Sequence, residues 1–436
     1  MMILLDRALK TLLLLAVMNI PYLYLNIGPW IAILVVFFLV MEILPWYEKG
    51  LNNRILFLAG GYELILTSIA ALFSQLVLIG IFVANHSPMV YLVIDILFSY
   101  LMLLFHFSNG FIRTAFCSAH LGVRRRVLMF LFWWLFPVNL ILFFIWYHVV
   151  RRELLTARNS YLLETTSVEN QDCRTKYPVV MVHGMFSQDW QYENYWGRIP
   201  RALKRNGAYV YYSRQQSAAA VAVSGEELKK EIFRVMEETG AEKVNIVAHS
   251  KGGLDARYAV SMLGMDQYVA SLTTISAPHR GCVYLDVVLD HLPNFFIKFL
   301  ASHYNTLFQT LGDHKPDSLS CIKDLTASAC AKFNEVVLDK PDVYYQSTMS
   351  VMYNHRSSFL PLSLSYFLCK KCDGGENDGL VTIASAMWGN YLGLVTDKRI
   401  NLNHGDTIDL THRNVKKFDI GQYYVELFKD LKEKGF

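Results

Sequence analysis

Two rhythms of apolar and polar positions divide this chain. Residues 1–150 are dominated by long apolar runs, which read as helical spans near 9–26, 29–46, 62–84, 88–107 and 127–149. A bilayer core about 30 Å thick needs on the order of 20 helical residues, and each run is close to that length. Asn26-Ile27-Gly28-Pro29 reads as a turn between the first two, because glycine ends helices well and proline starts them. One helix from 9 to 46 would be about 57 Å long, too much for a single crossing. Beyond residue 176 the runs shorten and alternate with amphipathic stretches, which predicts a mainly parallel sheet covered by helices on both faces. The strands are read at 177–182, 208–213, 244–249 and 271–276, with another at 399–403. Leu228, Ile232, Val235 and Met236 share one face of a helix over 225–238, which Gly240 ends. Residues 151–176 are polar and read as a linker between a domain at 1–150 and one at 177–436.

Charge adds an orientation to the first third. Arg7, Lys10, Lys49, Arg54, Arg113, Arg124, Arg125 and Arg126 all fall on one side if five spans are counted. Lysine and arginine favour the cytoplasmic side, so the count predicts a multi-pass plasma-membrane protein with its C-terminal part outside. Arg151, Arg152 and Arg158 are discordant. Trp30, Trp46, Tyr47, Trp146 and Tyr147 sit near span ends, where amphipathic rings favour the interface. No small-residue cleavage site follows the first run, which is therefore read as retained. Glu42 and Asp95 lie inside spans and are read as hydrogen-bonded across helices, with a functional role as the alternative. His106, His120 and His148 share no ligand spacing.

Composition agrees with a membrane part. The chain of 436 residues is 53% hydrophobic and only 18% charged. Its net charge of +4, without a basic patch interleaved with aromatics, argues against nucleic acid. No protein partner is named by any motif. Of seven cysteines, Cys117 lies in the first half; Cys173, Cys282, Cys321, Cys330, Cys369 and Cys372 follow. Sequence does not give their pairing, and a zinc site from Cys369 and Cys372 with Cys321 and Cys330 has poor spacing. Plain thiols or one structural disulfide are preferred.

The candidate chemistry centres on Val244-Asn245-Ile246-Val247-Ala248-His249-Ser250-Lys251-Gly252-Gly253, a strand, a tight turn at a serine, and a helix start. It resembles the nucleophile elbow of α/β-hydrolases, G-x-S-x-G, with Ala248 in the first glycine's place. Small residues are needed there because a larger side chain would strike the neighbouring strand or helix. The run 177–186, the elbow, 273–281 and Asn377-Asp378-Gly379-Leu380-Val381 together resemble the bacterial true lipases, the triacylglycerol lipases of the α/β-hydrolase fold. Weaker similarity covers 319–334 and Asn403-His404-Gly405-Asp406. The likeness spans roughly 176–425 and leaves the membrane third outside it.

The resemblance implies a serine ester hydrolase acting on lipids through an acyl-enzyme. A serine hydroxyl needs an imidazole to take its proton, and the imidazole needs an acid. The fold's chain order is serine, acid, histidine. Ser250, Asp378 and His404 match it, with Asp373 and Glu376 as competing acids and His412 as a competing base. His183, His249 and His279 are read as packing or turn residues. Backbone N–H groups of Lys251 and, by resemblance, Met185 would form the oxyanion hole, and the Lys251 ammonium is placed to pair with Asp255 one turn on. Residues 282–342 match the family's lid and acyl-pocket region, with Phe296, Leu300, Tyr304, Leu307 and Leu311 on one helical face beside Phe295 and Phe299; an ordinary cap helix is the alternative. No cofactor is expected. A structural calcium stays open, because Asp406 matches one ligand position and the second acid has no counterpart. A phospholipase or acyltransferase would carry the same triad, and a catalytically silent membrane scaffold the same fold.

Overall fold

The structure is a computed structural model. It describes the chain apart from residues 1, 23–27, 29, 45–47, 49–50, 86–87, 186–194, 311–312, 356–359, 397–398 and 411–414. Two compact units emerge, Met1–Tyr161 and Leu162–Phe436.

The first unit is helical: α1 (Met2–Met18), α2 (Trp30–Ile43), α3 (Asn53–Ala84), α4 (Met89–Cys117), α5 (Gly122–Phe132) and α6 (Val138–Glu164). Two separate helices replace the first two apolar runs, while most of the turn predicted between them, with Trp46 and Tyr47, lies outside the described residues. Helices α3 and α4 are long and apolar enough to cross a membrane. Both extend beyond the predicted spans, α3 backwards and α4 forwards. Asn52 caps α3, its side chain accepting from the N–H of Ile55 at 3.0 Å. The pair approaches closely at two glycines. A Cβ on Gly61 would lie 2.8 Å from Gly110 O, and a Cβ on Gly110 would lie 2.8 Å from Gly61 O.

This unit exposes apolar side chains on its outer faces and buries several polar groups beside its apolar core. Phe73, Leu76, Val77, Leu97, Leu101 and Phe105 are exposed, whereas Gln75, Asp95, Ser99, Glu42, Thr67 and His106 are buried. Those polar groups pair across helices, as buried polar groups must. Gln75 Nε2 donates to Asp95 Oδ2 at 3.1 Å and to Ser99 Oγ at 3.0 Å. Glu42 accepts from Asn109 at 2.6 Å and contacts His106, whose other ring nitrogen meets Thr67 Oγ1 at 2.7 Å.

Two sequence expectations need correction here. The run 127–149 is not one span: the chain leaves helical conformation at 133–137, where Pro137 supplies no N–H to continue the ladder. With that run divided between α5 and α6, counting spans no longer assigns a side to the C-terminal unit. The linker is also shorter than expected, because α6 runs on to Glu164. Ion pairs hold that polar extension: Glu153 with Arg54 at 2.5 Å, and Arg158 with Glu48 at 2.7 Å.

In the second unit, β1 (Val179–Val182), β2 (Val210–Tyr212), β3 (Val244–His249), β4 (Val269–Ile275), β5 (Tyr344–Met349) and β6 (Asn390–Leu394) form one parallel sheet. The strand order is β2-β1-β3-β4-β5-β6. Alternate residues feed opposite faces, as strand geometry dictates. Val179, Met181, Val247 and Ile275 pack with Trp196, Leu203, Tyr424 and Phe428 on one side. Val180, Val182, Ile246 and Ala248 pack with Leu228, Ile232, Ala256 and Val260 on the other. The first side is covered by α7 (Ile199–Arg205) and α16 (Ile420–Glu433), the second by α8 (Val221–Thr239) and α9 (Gly252–Met262). The predicted strand at 399–403 is not formed. Its one ladder-like bond is Leu402 N–H to Val351 O at 3.0 Å, and β6 lies earlier in the chain.

The insertion folds as α10 (Val283–His291), α11 (Asn294–Thr310), α12 (Ser318–Asp324) and α13 (Ala327–Val336), more helices than the two read from sequence. Along α11, Phe295, Phe296, Phe299, Leu300 and Tyr304 are exposed and Phe308 is the buried anchor. Leu311 lies outside the described residues. Further on, α14 (Leu360–Cys372) and α15 (Ile383–Ala386) flank the 373–382 turn.

Helix α9 packs on the sheet at two glycines. A Cβ on Gly252 would lie 2.5 Å from the backbone oxygen of His183, and one on Gly253 would lie 2.6 Å from the Ala277 Cβ. Gly252→Ala should therefore lower stability by about 1–3 kcal/mol, as overpacking does. Thermal unfolding of the full chain reads this as a lowered Tm; an unchanged Tm would mean the helix can ride outward freely.

Candidate active site

Ser250 occupies the turn between β3 and α9. Its φ is +56°, a left-handed conformation that a non-glycine residue adopts only when its surroundings enforce it. The enforcement is visible in three contacts. Its N–H donates to Ile275 O at 3.0 Å, its C=O accepts from Gly253 N–H at 3.0 Å, and Gly184 presses from the β1 side. A Cβ on Gly184 would sit 2.8 Å from the Ser250 Cβ and 3.0 Å from His249 O. The small residue predicted two positions after the serine is required by backbone contact, since a Cβ on Gly252 would meet His183 O.

Asp378 is fully buried in the turn after α14. One carboxylate oxygen accepts from the N–H groups of Leu380 at 3.0 Å and Val381 at 2.9 Å. The other lies 2.8 Å from Nδ1 of His404. The backbones are tied as well, His404 N–H donating to Asp378 O at 2.8 Å. This arrangement fixes the carboxylate and leaves Nε2 of His404 free of the acid. The His404 ring lies 4.5 Å, centroid to centroid, from that of His249, the residue directly before Ser250. Asp378 and His404 thus meet beside the residue that precedes Ser250, at the C-terminal end of β3, where open α/β sheets bind ligands. Among the described residues no hydrogen bond joins Ser250 Oγ to the His404 ring. Such bonds are often long in a substrate-free site and tighten on binding.

The competing acids are engaged elsewhere or face away. Asp373 accepts from the N–H groups of Val283 at 2.7 Å and Tyr284 at 3.1 Å, capping α10, and burial pushes its carboxyl up. Glu376 is exposed. His412 lies outside the described residues. Met185 follows Gly184 directly and is half-buried; the loop after it, including Phe186, is not described. The N–H of Lys251 opens the first turn of α9, outside the helical ladder.

The Lys251 side chain turns away from the serine into a buried pair. Its ammonium donates to Asp255 at 2.7 and 2.9 Å and to Ser224 Oγ at 2.8 Å. Burial alone would lower its pKa; Asp255, with Cys321 and Asp324 nearby, raises it overall, which favours the charged ammonium. Ring neighbours of the site stay neutral. Burial lowers His183 to about 4, and lowers His249 and His279 well below the usual value. Reading His249 as a packing residue missed its polar contacts: Nε2 lies 3.2 Å from His404 O and Nδ1 2.7 Å from the hydroxyl of Tyr195.

Metal chemistry finds little support in the donor sets. Among the described residues no three His, Cys, Asp or Glu side chains are grouped to hold an ion. Asp406 accepts from Asn403 N–H at 2.8 Å, shaping the His404 turn. The seven thiols are unpaired. Cys321 and Cys330 bond separately to carbonyls, of Ser217 and of Pro278 and Asp324, and burial pushes each thiol up to about 12.

One family model and several relatives resemble this chain. Residues 178–362 match the family model described as palmitoyl protein thioesterase, a stretch that includes Ser250 and ends before Asp378 and His404. Triacylglycerol lipase 2 of Saccharomyces cerevisiae is 28% identical over 269 residues, 56% of this chain and 74% of that one. A triacylglycerol lipase of Pseudarthrobacter phenanthrenivorans is 35% identical over 173 residues, 37% of this chain and 53% of its own length, so the chain spans about half of that relative. A triacylglycerol lipase of Pseudomonas fragi is 26% identical over 295 residues, covering 60% of this chain and 98% of the relative.

The Lys251–Asp255 pair predicts an asymmetry. Asp255→Ala strands a buried ammonium and should destabilise the chain by about 3–5 kcal/mol. The double variant Lys251→Met with Asp255→Leu should recover most of that loss. Urea unfolding of the three proteins checks the order; equal losses for single and double variants would contradict it.

Proposed function

From the premise that the C-terminal part is a lipase-family ester hydrolase of the α/β-hydrolase fold, we propose that the chain is a membrane-anchored serine hydrolase cleaving carboxylic esters of lipids. Ser250 is the nucleophile, His404 the general base and then acid, and Asp378 the orienting carboxylate. The observation that carries this reading is the 2.8 Å contact between Asp378 and His404 Nδ1, with two backbone N–H groups holding the same carboxylate in place.

The reaction follows from those positions. Ser250 Oγ attacks the ester carbonyl carbon as its proton passes to Nε2 of His404. The carbonyl oxygen becomes an oxyanion, which the N–H groups of Lys251 and Met185 stabilise as preorganised donors. Collapse breaks the bond to the leaving alcohol, and His404 returns the proton to it. An acyl-enzyme remains on Ser250. Water, deprotonated by the same imidazole, attacks it and releases the fatty acid. Throughout, Asp378 fixes the tautomer with the proton on Nδ1 and stabilises the imidazolium.

Anchoring rests on α3 and α4, whose length and apolarity suit a bilayer, and on the inward-facing polar groups of the first unit. A tether of this kind keeps the site near its long-chain substrate. A second reading follows from the thioesterase model that matches 178–362: the acyl group would be held by a thioester, with the same attack and the same acyl-enzyme.

Labelling with a fluorophosphonate probe tests the nucleophile. Wild type should label, and Ser250→Ala and His404→Ala should not. Asp378→Asn should retain the fold and lose about 10³- to 10⁴-fold in kcat, since the imidazole would then favour the wrong tautomer. Full labelling of Ser250→Ala would end the reading. For the anchor, alkaline carbonate should leave the full chain in the membrane pellet, and its release would remove the spanning role of α3 and α4.

A further inference from the structure

Two buried side chains connect the halves of the candidate site. Gly184 N–H donates to Tyr195 Oη at 2.8 Å. The Tyr195 hydroxyl faces Nδ1 of His249 at 2.7 Å, and Nε2 of His249 faces the backbone oxygen of His404 at 3.2 Å. Donor and acceptor roles close in only one way. The carbonyl of His404 must accept, so the His249 proton sits on Nε2. Its Nδ1 must then accept, so the tyrosine hydroxyl donates to it and accepts from Gly184. Tyr195 and His249 each donate once and accept once, and both are withdrawn from water: Tyr195 is 7% exposed and His249 is 2% exposed. Packing reinforces the chain. The Tyr195 and His249 rings meet edge-on at 5.9 Å, Trp196 lies edge-on to His249 at 6.4 Å, and His249 lies against the His404 ring at 4.5 Å.

The position of the two ends gives this chain its meaning. Gly184 precedes Met185, one of the two N–H groups assigned to the oxyanion. His404 is the assigned base. We propose that Tyr195 and His249 are positioning residues that set the oxyanion-hole backbone and the general base in register with each other around Ser250. This rests on the triad reading above and adds to it two side chains that touch no substrate. Neither end is otherwise tied to the other by secondary structure, since Gly184 follows β1 and His404 lies in an irregular turn. A base misaligned by a fraction of an ångström slows proton transfer while leaving substrate binding intact. The expected signature is a loss in kcat without a matching change in KM.

Four variants test this in the full chain, with a soluble short-chain ester and a fluorophosphonate. Tyr195→Phe keeps the ring and deletes the hydroxyl; its kcat should fall about 10-fold with KM within about twofold, the scale of one lost hydrogen bond. His249→Leu breaks both links and should fall about 100-fold. His249→Gln can still place an N–H near His404 O and should recover to within about fivefold of wild type, whereas His249→Asn, too short to reach that carbonyl, should not. Labelling rates should fall in parallel with kcat, because the probe uses the same base and oxyanion donors. Ser250→Ala is the control that separates the two readings. If it still hydrolyses and labels, the triad assignment fails, whatever the relay variants do. If it is dead while Tyr195→Phe and His249→Leu keep wild-type kcat, the positioning proposal alone is overturned. A variant that loses activity only in proportion to unfolded protein, read from its Tm, also counts against positioning.

Discussion

The second unit is organised by close backbone packing around one strained residue. Ser250 is held at φ +56° because β3 must turn at once into α9, and α9 must lie against β1 and β4. That approach leaves no space for a Cβ at Gly252 or Gly253, nor at Gly184 on the opposing loop. The sheet core around Val180, Ile246 and Ala248 supplies the binding free energy that keeps the turn strained. A serine raised on such a turn projects from the sheet, so its hydroxyl can meet groups carried by distant loops.

Those loops are held by polar contacts rather than by regular structure. Asp378 sits in a turn tied to 380–381, and His404 in a turn shaped by Asn403 and Asp406. Arg198 adds a brace, pairing with Asp409 at 2.7 Å just beyond that turn. Irregular segments of this kind are stable only when every buried donor and acceptor is matched. Among the described residues, His183 Nε2 and Ser276 Oγ are buried without a hydrogen-bond partner.

The first unit combines a buried apolar core with apolar outer faces. Those faces carry Phe73, Leu101 and Phe105, while inside Gln75 bonds to Asp95 and His106 contacts Glu42. Apolar patterning over 1–150 was enough to read helices there, because length and hydropathy are local properties. The break at 133–137 was not legible, since aromatic residues on both sides keep the hydropathy high across it. Helix α6 likewise outran its apolar stretch, because Glu153 pairs with Arg54 on α3 and Arg158 with Glu48 in the connection before α3, partners that no local window contains.

By itself the sequence determined the parallel sheet, the strand–serine–helix turn, and the residue types of a hydrolase in their chain order. These follow from period, small-residue placement and turn chemistry, each confined to a few neighbours. Tertiary structure alone decided which groups face one another. It brought Asp378 to His404, engaged Asp373 at α10, left the strand expected at 399–403 without regular structure, and set Tyr195 against His249 across 54 residues. Contacts of that separation depend on how the helices close over the sheet, and a linear pattern carries no record of that closure.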